Sequence, residues 1–373
     1  MKILYTATVL SHICQFHLPY LRELQAQGCE IHVAARDNLS EKNGLRLQYV
    51  DRFIQIPFQR SPKSPENIKA YRQLRSLISQ EGYDLIVCNT PVGGIVTRLA
   101  ARAARHSGTR VVYIAHGFHF YQGAPLKNWL VFYPIERIMS RLTDLIVTIT
   151  QEDFSLAQEK FHCPAAHIHG IGVSNQRYHP ATEETRRTLR EAECLAPNDF
   201  VILCTGELNR NKDQETLLRA AALLKGQIPN LKILLAGNGP LENQLKSLSK
   251  ALELDSTVRF LGYRTDLERV VPMVDAVVSC SRREGLPLNV VEAMLCGQPV
   301  IAAENRGTRE LIQNGKTGFL FCAGDFNRLS ELLQQLYQGI ALQKHLGQAA
   351  LSNAMPYTVS EVINELLPIL TKR

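Results

Sequence analysis

From Lys2 to Glu304 one unit recurs along the chain: a short apolar run rich in β-branched residues, followed by a stretch with helical spacing. The runs read KILYTAT, EIHVAA, RFIQIPF, YDLIVCNT, RVVYIAHG and DLIVTIT in the first half. In the second they read FVILCTGE, LKILLAG, VRFLG, DAVVSC and PVIAAE. Each is apolar on both faces, so it must be covered on both, as in a parallel sheet with helices above and below it. The expected class is therefore α/β. A chain of 373 residues exceeds what one core organises, so two doubly wound domains are predicted. The polar segment from Ser174 to Asp199 lacks strand character and is the predicted connection. A last helix, TVSEVINELLPILTKR, follows the final βα unit and is free to pack back on the first domain. The predicted boundaries are 1–175, 176–355 and 356–373.

Composition narrows the function classes. The nine cysteines are scattered and contain no C-x-x-C, which argues against a disulfide framework and a zinc knuckle and for a reducing cytoplasm. MKILYTATVLSHICQF reads as a buried first strand, because polar residues interrupt it from Ser11 and no small-residue cleavage site follows. No eighteen apolar residues run together, so no membrane span is expected. The net charge of +7 is all in the first half: residues 1–180 hold 20 Lys/Arg against 13 Asp/Glu, and 181–373 hold 22 against 22. Such a surplus is either an ordinary solvated surface or suits an anionic phospholipid surface or a pyrophosphate-linked lipid. Lys69, Arg72 and Arg75, spaced by three on one helical stretch, are the candidate membrane-facing group. Nucleic acid is not an implied partner.

Ligands of open α/β sheets sit at the carboxyl ends of strands, where helix N-termini point amides at anions. Three such ends in the second half carry suitable residues. After VILCT comes GELNRNKDQETLL, with Gly206, Arg210 and Lys212. After LKILLA comes GNGPLENQL, where Gly237 and Gly239 permit close backbone approach, Asn238 lies between them, and Pro240 suits a first helical position. After DAVVSC comes EGLPLNVVEAMLCGQPV. Pro287, Gly297 and Pro299 bound a helix over about Pro287 to Cys296. Glu284 then lies outside it and Glu292 roughly 7.5 Å inside at 1.5 Å per residue. Between them the amides of Leu288 to Val290 are unpaired donors. A nucleotide diphosphate sugar offers matching parts in the same order: ribose hydroxyls for Glu292, pyrophosphate for the amides, and sugar hydroxyls for Glu284. A plain surface pair of acids near a helix start is the alternative. A glycosidase pair fits worse, because the separation exceeds what either hydrolytic geometry uses.

These stretches resemble the retaining glycosyltransferases of family 4, whose GT-B fold has two facing Rossmann-like domains with parallel sheets and a C-terminal helix crossing back to the first. EGLPLNVVEAMLCGQPVIAAENRGTRELIQNGKTGFL, GNGP and VRFLGYRTDL are similar to the donor-binding regions. SHICQFHLPYLRELQAQGCEIHVAA, NTPVGGIVTRLAARAAR and AHGFHFYQGAP resemble the branch that builds bacterial exopolysaccharide and capsule. The resemblance implies an acceptor-side first domain and a donor-binding second domain. It places Glu292 on the ribose, Glu284 on the donor sugar, Lys212 on the pyrophosphate and His116 in the catalytic cleft. Gly206, Arg210, Asn238, Gly239, Pro240, Tyr263, Gly285, Leu286, Leu288, Asn289 and Val290 would complete the donor site. His12, His17, Phe118 and His119 would lie on the acceptor side. Two departures stand out. Glu207 follows Gly206 where many members have arginine, and TVLSHICQFH replaces the usual glycine-rich turn after the first strand, which puts His12 or His17 at the cleft floor.

The function expected is a cytoplasmic glycosyltransferase, peripheral on the inner membrane where the charge surplus above meets anionic lipid. It would move a hexosyl or N-acetylhexosaminyl group from a nucleotide diphosphate sugar, UDP-sugar preferred, to a glycan or lipid-linked saccharide. No D-x-D occurs, so no metal and no cofactor are expected. CPAAHIH offers Cys163, His167 and His169, but alternation would put only the two histidines on one face, and a structural role is expected. No strand is followed by G-x-G-x-x-G, which disfavours a dinucleotide oxidoreductase. A nucleotide-sugar epimerase and a silent nucleotide-sugar-binding subunit are the rival readings.

Overall fold

The computed structural model describes residues 1–41 and 44–372. The chain divides into two compact units, Met1–Gly172 with Val359–Arg373, and Val173–Thr358. The first unit holds strands β1 (Lys2–Val9), β2 (Glu30–Arg36), β3 (Arg52–Gln55), β4 (Leu85–Asn89), β5 (Arg110–Ala115), β6 (Leu145–Thr148) and β7 (Ala165–His167). They form one sheet in the order β3-β2-β1-β4-β5-β6-β7, parallel throughout. The second unit holds β8 (Phe200–Thr205), β9 (Leu231–Ala236), β10 (Val258–Gly262), β11 (Ala276–Ser279), β12 (Val300–Ala303) and β13 (Phe319–Phe321). Its order is β10-β9-β8-β11-β12-β13, again all parallel. Both sheets run outward from their first strand and then reverse, the doubly wound order. The central strands are buried on both faces, Ile3, Leu4, Tyr5, Ile86 and Val87 in one sheet and Val201, Ile202, Leu203, Ile233 and Leu234 in the other. That is why their sequences show no polar alternation.

Several expectations change. The edge strands β7 and β13 have three residues each, too few to stand out as apolar runs. RFIQIPF pairs only as far as Gln55; Ile56 and Phe58 continue into the core under helix Glu66–Glu81 without a ladder. The segment 174–199 is not a bare connection. It contains helix Glu183–Ala192, capped by the Thr182 side chain, and Arg186 and Arg190 reach Asp275 at 2.5 and 2.6 Å. Its polarity reflects long basic side chains spent on one internal carboxylate. The last helix, Val359–Thr371, belongs to the first unit. Glu365 accepts from the His169 ring at 2.6 Å and from its backbone N–H at 2.9 Å, and Arg110 Nη1 donates to the Ile369 carbonyl at 2.8 Å. His169 is thus a structural tie, and Cys163 packs beside an aromatic cluster. All nine cysteines are free thiols. Among the described residues no helix is long and apolar enough to cross a membrane.

Candidate active site

In each sheet the order reverses between two neighbouring strands, β8 and β11 in the second unit and β1 and β4 in the first. The loops beyond their carboxyl ends diverge there and leave a crevice. The candidate residues lie at these two places and at the ends of the strands β5, β9 and β10 beside them.

In the second unit, the loops after β8 and β11 bring Lys212 and Glu284 together. Lys212 Nζ lies 2.6 Å from Glu284 Oε1, with both side chains about three-quarters or more covered. The contact is held by a backbone clasp: Arg282 N–H donates to the Asn211 carbonyl and the Asn211 amide donates to the Arg283 carbonyl. Asn209 Oδ1 accepts from the backbone N–H groups of Asn211 and Lys212. Glu207, the residue that departs from the family pattern, accepts from the Asn209 side-chain amide at 3.0 Å. It therefore acts on Lys212 through the turn. Arg210 is exposed and lines a separate cavity of about 400 Å³ with Asp213, Gln244 and Arg282; Lys212 and Glu284 are not in that lining.

Helix Leu288–Leu295 follows Glu284, with Pro287 at the N-cap position and no side-chain cap. The expected three free amides become two, because Val290 N–H donates to the Pro287 carbonyl at 3.1 Å and its side chain is fully buried. Leu288 and Asn289 keep their N–H groups at the helix start, where the helix dipole favours an anion. The Asn289 side chain bridges to Thr205 at the end of β8, at 3.1 Å, and Leu286 and Leu288 pack on the core. Gly285 is pressed from behind by Gly307: a Cβ at Gly307 would lie 2.4 Å from the Gly285 carbonyl oxygen. Asn305 caps the Gly307 helix and donates to the Ser281 carbonyl at 2.8 Å. Neither Asn305 nor Gly307 was singled out from sequence; the only signal was the N-x-G-T spacing, a capping pattern.

Glu292 sits five residues into the helix, half-buried. Burial pushes its carboxyl up to about 7, against the Tyr178 hydroxyl that donates to it and the nearby Arg177 guanidinium, both of which favour the charged form. Glu268, held by Arg177 at 2.9 Å, adds a smaller upward push.

The loop after β9 plays a different part from the one expected. A Cβ at Gly237 would fall 2.0 Å from the Gly206 carbonyl oxygen, and one at Gly239 would fall 2.4 Å from the Leu208 carbonyl oxygen. The close approach these glycines allow is between the two loops. Pro240 does not start a helix. It sits in a turn closed by Glu242 N–H to the Gly239 carbonyl, two residues ahead of helix Glu242–Ala251, because Leu241 N–H is drawn to the Leu208 carbonyl. Asn238 accepts from Leu208 N–H through its carbonyl, and Tyr263 is 71% exposed beyond β10.

In the first unit, His116 directly follows β5 and His12 lies in helix Leu10–Phe16 after β1. Their Nε2 atoms are 3.2 Å apart, and His116 Nε2 is 3.1 Å from Asn89 Oδ1. The Asn89 amide donates to the Thr6 carbonyl, which leaves its oxygen toward His116. His116 Nε2 therefore carries the proton, and His12 presents its lone pair. Burial holds His12 down at about 4 and His116 and His17 well below the usual histidine range, so all three rings are neutral at pH 7. His17 is fully buried and neither ring nitrogen has a hydrogen-bond partner. His17 is a ring packed against His116, at 5.4 Å between centroids. These three histidines are the group among the described residues that could hold a metal ion, their ligand atoms lying within 4.8 Å of one another.

His12, Phe118 and His119 line a mainly apolar cavity of about 440 Å³ with Thr8, Thr90 and Phe132. Phe118 stacks on Phe120 and His119 on Phe132. Thr90, missed in the sequence, holds φ +64° at the tip of β4 while its hydroxyl bonds that of Thr8 at 2.7 Å. A non-glycine residue in that conformation is strained and held by its surroundings.

Two doubly wound parallel sheets, the second carrying a cation–carboxylate pair beside an uncapped helix start, are the architecture of the GT-B class. The comparisons agree. Residues 185–352 match the model described as glycosyl transferases group 1, and residues 20–172 match that of glycosyltransferase family 4. The chain is 41% identical over 370 residues, 99% of it and 96% of the relative, to the Bacillus subtilis (strain 168) protein named as glycosyltransferase EpsD. It is 27% identical, over 78% of it and 76% of the relative, to an Escherichia coli protein named UDP-Gal:alpha-D-GlcNAc-diphosphoundecaprenol alpha-1,3-galactosyltransferase. Anabaena HepE, solved in complex with UDP, superposes with a TM-score of 0.79 at 22% identity over 100% of both chains. The chain belongs to this family of glycosyltransferases.

Proposed function

We propose that this glycosyltransferase moves a hexosyl or N-acetylhexosaminyl group, with retention of anomeric configuration, from a UDP-sugar to a lipid-linked saccharide in cell-surface polysaccharide synthesis. The reaction would take place at the cytoplasmic face of the membrane. The observation that carries the donor half is the 2.6 Å Lys212–Glu284 pair beside the open start of helix Leu288–Leu295. Lys212 and the Leu288 and Asn289 amides meet the pyrophosphate and take up its charge as the bond to the sugar breaks. Glu284, already on the Lys212 ammonium, orients the sugar hydroxyls next to that phosphate. Glu292 accepts from the ribose hydroxyls. With these groups present and no D-x-D in the chain, the donor is held without a metal ion. His116, neutral and with its Nε2 proton held by Asn89, offers its Nδ1 lone pair as a hydrogen-bond acceptor on the acceptor side. The UDP in HepE supports the nucleotide. The names of EpsD and of the galactosyltransferase support the polymer and the diphosphoprenyl acceptor.

The test is mass spectrometry of products from a panel of UDP-sugars with lipid-linked acceptors, with and without EDTA, followed by NMR of the new anomeric centre. Transfer that survives EDTA and keeps the donor's configuration is expected. Conversion of the sugar with no acceptor would mark an epimerase, and neither transfer nor donor hydrolysis would mark a silent binding subunit.

A further inference from the structure

The helix Leu126–Ser140 of the first unit exposes an apolar stripe. Leu126 is 80% exposed, Leu130 77%, Ile138 57%, Val131 52% and Ile135 37%. The remaining exposed large hydrophobic side chains of the described residues are scattered singly, among them Tyr49, Leu223 and Ile340, which is ordinary for a soluble surface. Five on one helix at four-, five-, nine- and twelve-residue offsets form one face and are not ordinary.

The charges on that face have one sign. Lys127, Arg137 and Arg141 are exposed beside the stripe. The helix's one acid, Glu136, is buried and paired with fully buried Arg98 at 2.8 Å, and Asn128 is turned inward to the His119 carbonyl. From Leu126 to Arg141 every exposed side chain is therefore apolar or cationic. We propose that this helix lies in the surface of an anionic lipid bilayer, its apolar stripe at the headgroup–acyl boundary and its cations on the lipid phosphates.

Two observations favour lipid over a second copy of the chain. Self-association through the stripe would bring Lys127, Arg137 and Arg141 toward their own copies with no exposed acid on the helix to neutralise them, whereas anionic lipid neutralises all three. Val131 and Ile135 of the stripe, with Phe132, also line the 440 Å³ apolar cavity that His12 and His119 line. A lipid chain is chemically matched to the stripe and to the cavity that adjoins it. Helix Glu66–Glu81, which carries Lys69, Arg72 and Arg75, differs in kind: its exposed face is polar, with Glu66, Gln73, Ser76 and Ser79 beside the basic residues and Ile68 as its one exposed large apolar side chain.

The proposal goes beyond the transfer reaction and is tested without it, so its failure and that of the proposed function are distinguishable. The full chain is sedimented with vesicles of phosphatidylcholine containing phosphatidylglycerol, and with pure phosphatidylcholine. Binding to the anionic vesicles that weakens with salt is expected. Leu126→Gln/Leu130→Gln should lower the partition coefficient by at least about tenfold, since each leucine side chain withdrawn from water is worth that much. Lys127→Gln/Arg137→Gln/Arg141→Gln should lower it by about fivefold per charge and flatten the salt dependence. Lys69→Gln/Arg72→Gln/Arg75→Gln should change it by less than about twofold, because that face adds no apolar insertion. Leu130→Trp, made together with Trp129→Phe so that residue 130 is the sole tryptophan, keeps the stripe apolar, should bind as the native chain does, and should shift its emission to the blue in bound protein. No vesicle binding by the native chain overturns the proposal. So do helix-126 variants that bind like the native chain, Leu130→Trp emission unchanged in bound protein, or a loss of sedimentation that analytical ultracentrifugation traces to a lost dimer.

Discussion

Free-nucleotide affinity should depend on pH through Glu292. Burial lifts its carboxyl to about 7 in the ligand-free protein, and the ribose hydroxyls donate hydrogen bonds, so it is the ionised form that binds. Affinity for UDP should therefore rise as pH increases through 7. Below it, each unit of pH should cost up to about tenfold, the equivalent of roughly 1.4 kcal/mol. The loss should level off once the hydrogen bonds to a charged acceptor, roughly 1.5–3 kcal/mol, are gone, that is after some 10- to 100-fold. Isothermal titration of UDP into native protein and Glu292→Gln, across about one to two pH units either side of 7, reads this directly. The ligand phosphate titrates identically against both proteins, so the difference between the two curves belongs to Glu292. The glutamine variant should bind weakly with no step of its own. Tyr178→Phe removes a hydrogen bond that favours the ionised carboxyl, so the midpoint should move to higher pH. Parallel curves for native and Glu292→Gln, or a Tyr178→Phe midpoint that moves down, would refute the assignment of Glu292 to the ribose.

Three further outcomes are expected. Glu284→Gln should keep UDP affinity within about twofold yet lose most turnover, whereas Lys212→Met should lose both by tenfold or more, since a charge-assisted contact to phosphate is worth about 1.5–3 kcal/mol; equal losses of UDP binding in both variants would count against their separate roles. Gly307→Ala should push the Gly285 carbonyl, 2.4 Å from the new Cβ, and displace Glu284, so kcat should fall while the unfolding midpoint in urea moves little; unchanged kcat would free that loop of any bracing role. Arg98→Met should destabilise the first unit by about 3–5 kcal/mol by leaving the Glu136 carboxylate buried and alone, and Arg98→Met/Glu136→Leu should recover most of it, as read by urea unfolding; a double variant no better than the single one would mean that the Tyr113 face, 4.1 Å from the Arg98 guanidinium, carries the stability instead.

Patterns that repeat with the period of a strand or helix were legible in the chain by itself. Runs such as LKILLA and DAVVSC had to be covered on both faces, which dictated parallel sheets, two cores and loops at strand ends as the place for a site. Pro287 and Gly297 likewise marked a helix that the structure bounds at Leu288 and Leu295, with Glu284 before it and Glu292 inside. These signals are local, because dihedral preference and one-face burial act over a few residues. What passes between distant segments was not legible. Lys212 and Glu284 are 72 residues apart and meet only because β8 and β11 are neighbours. The glycines of GNGP serve the loop after β8, since the space a Cβ would need is already taken by Gly206 and Leu208. The raised carboxyl of Glu292 depends on burial, which outweighs Tyr178 and Arg177 from another part of the chain, and the burial of His17 on Tyr5 and Tyr20 around it. Helix Leu126–Ser140 shows the same division most plainly. Its sequence is as apolar as that of many core helices, and only the packing that buries Glu136 on Arg98 and turns Asn128 inward leaves Leu126 and Leu130 facing out. Burial is a property of the whole fold, and which face of a helix it claims is settled by partners that lie far away in the chain.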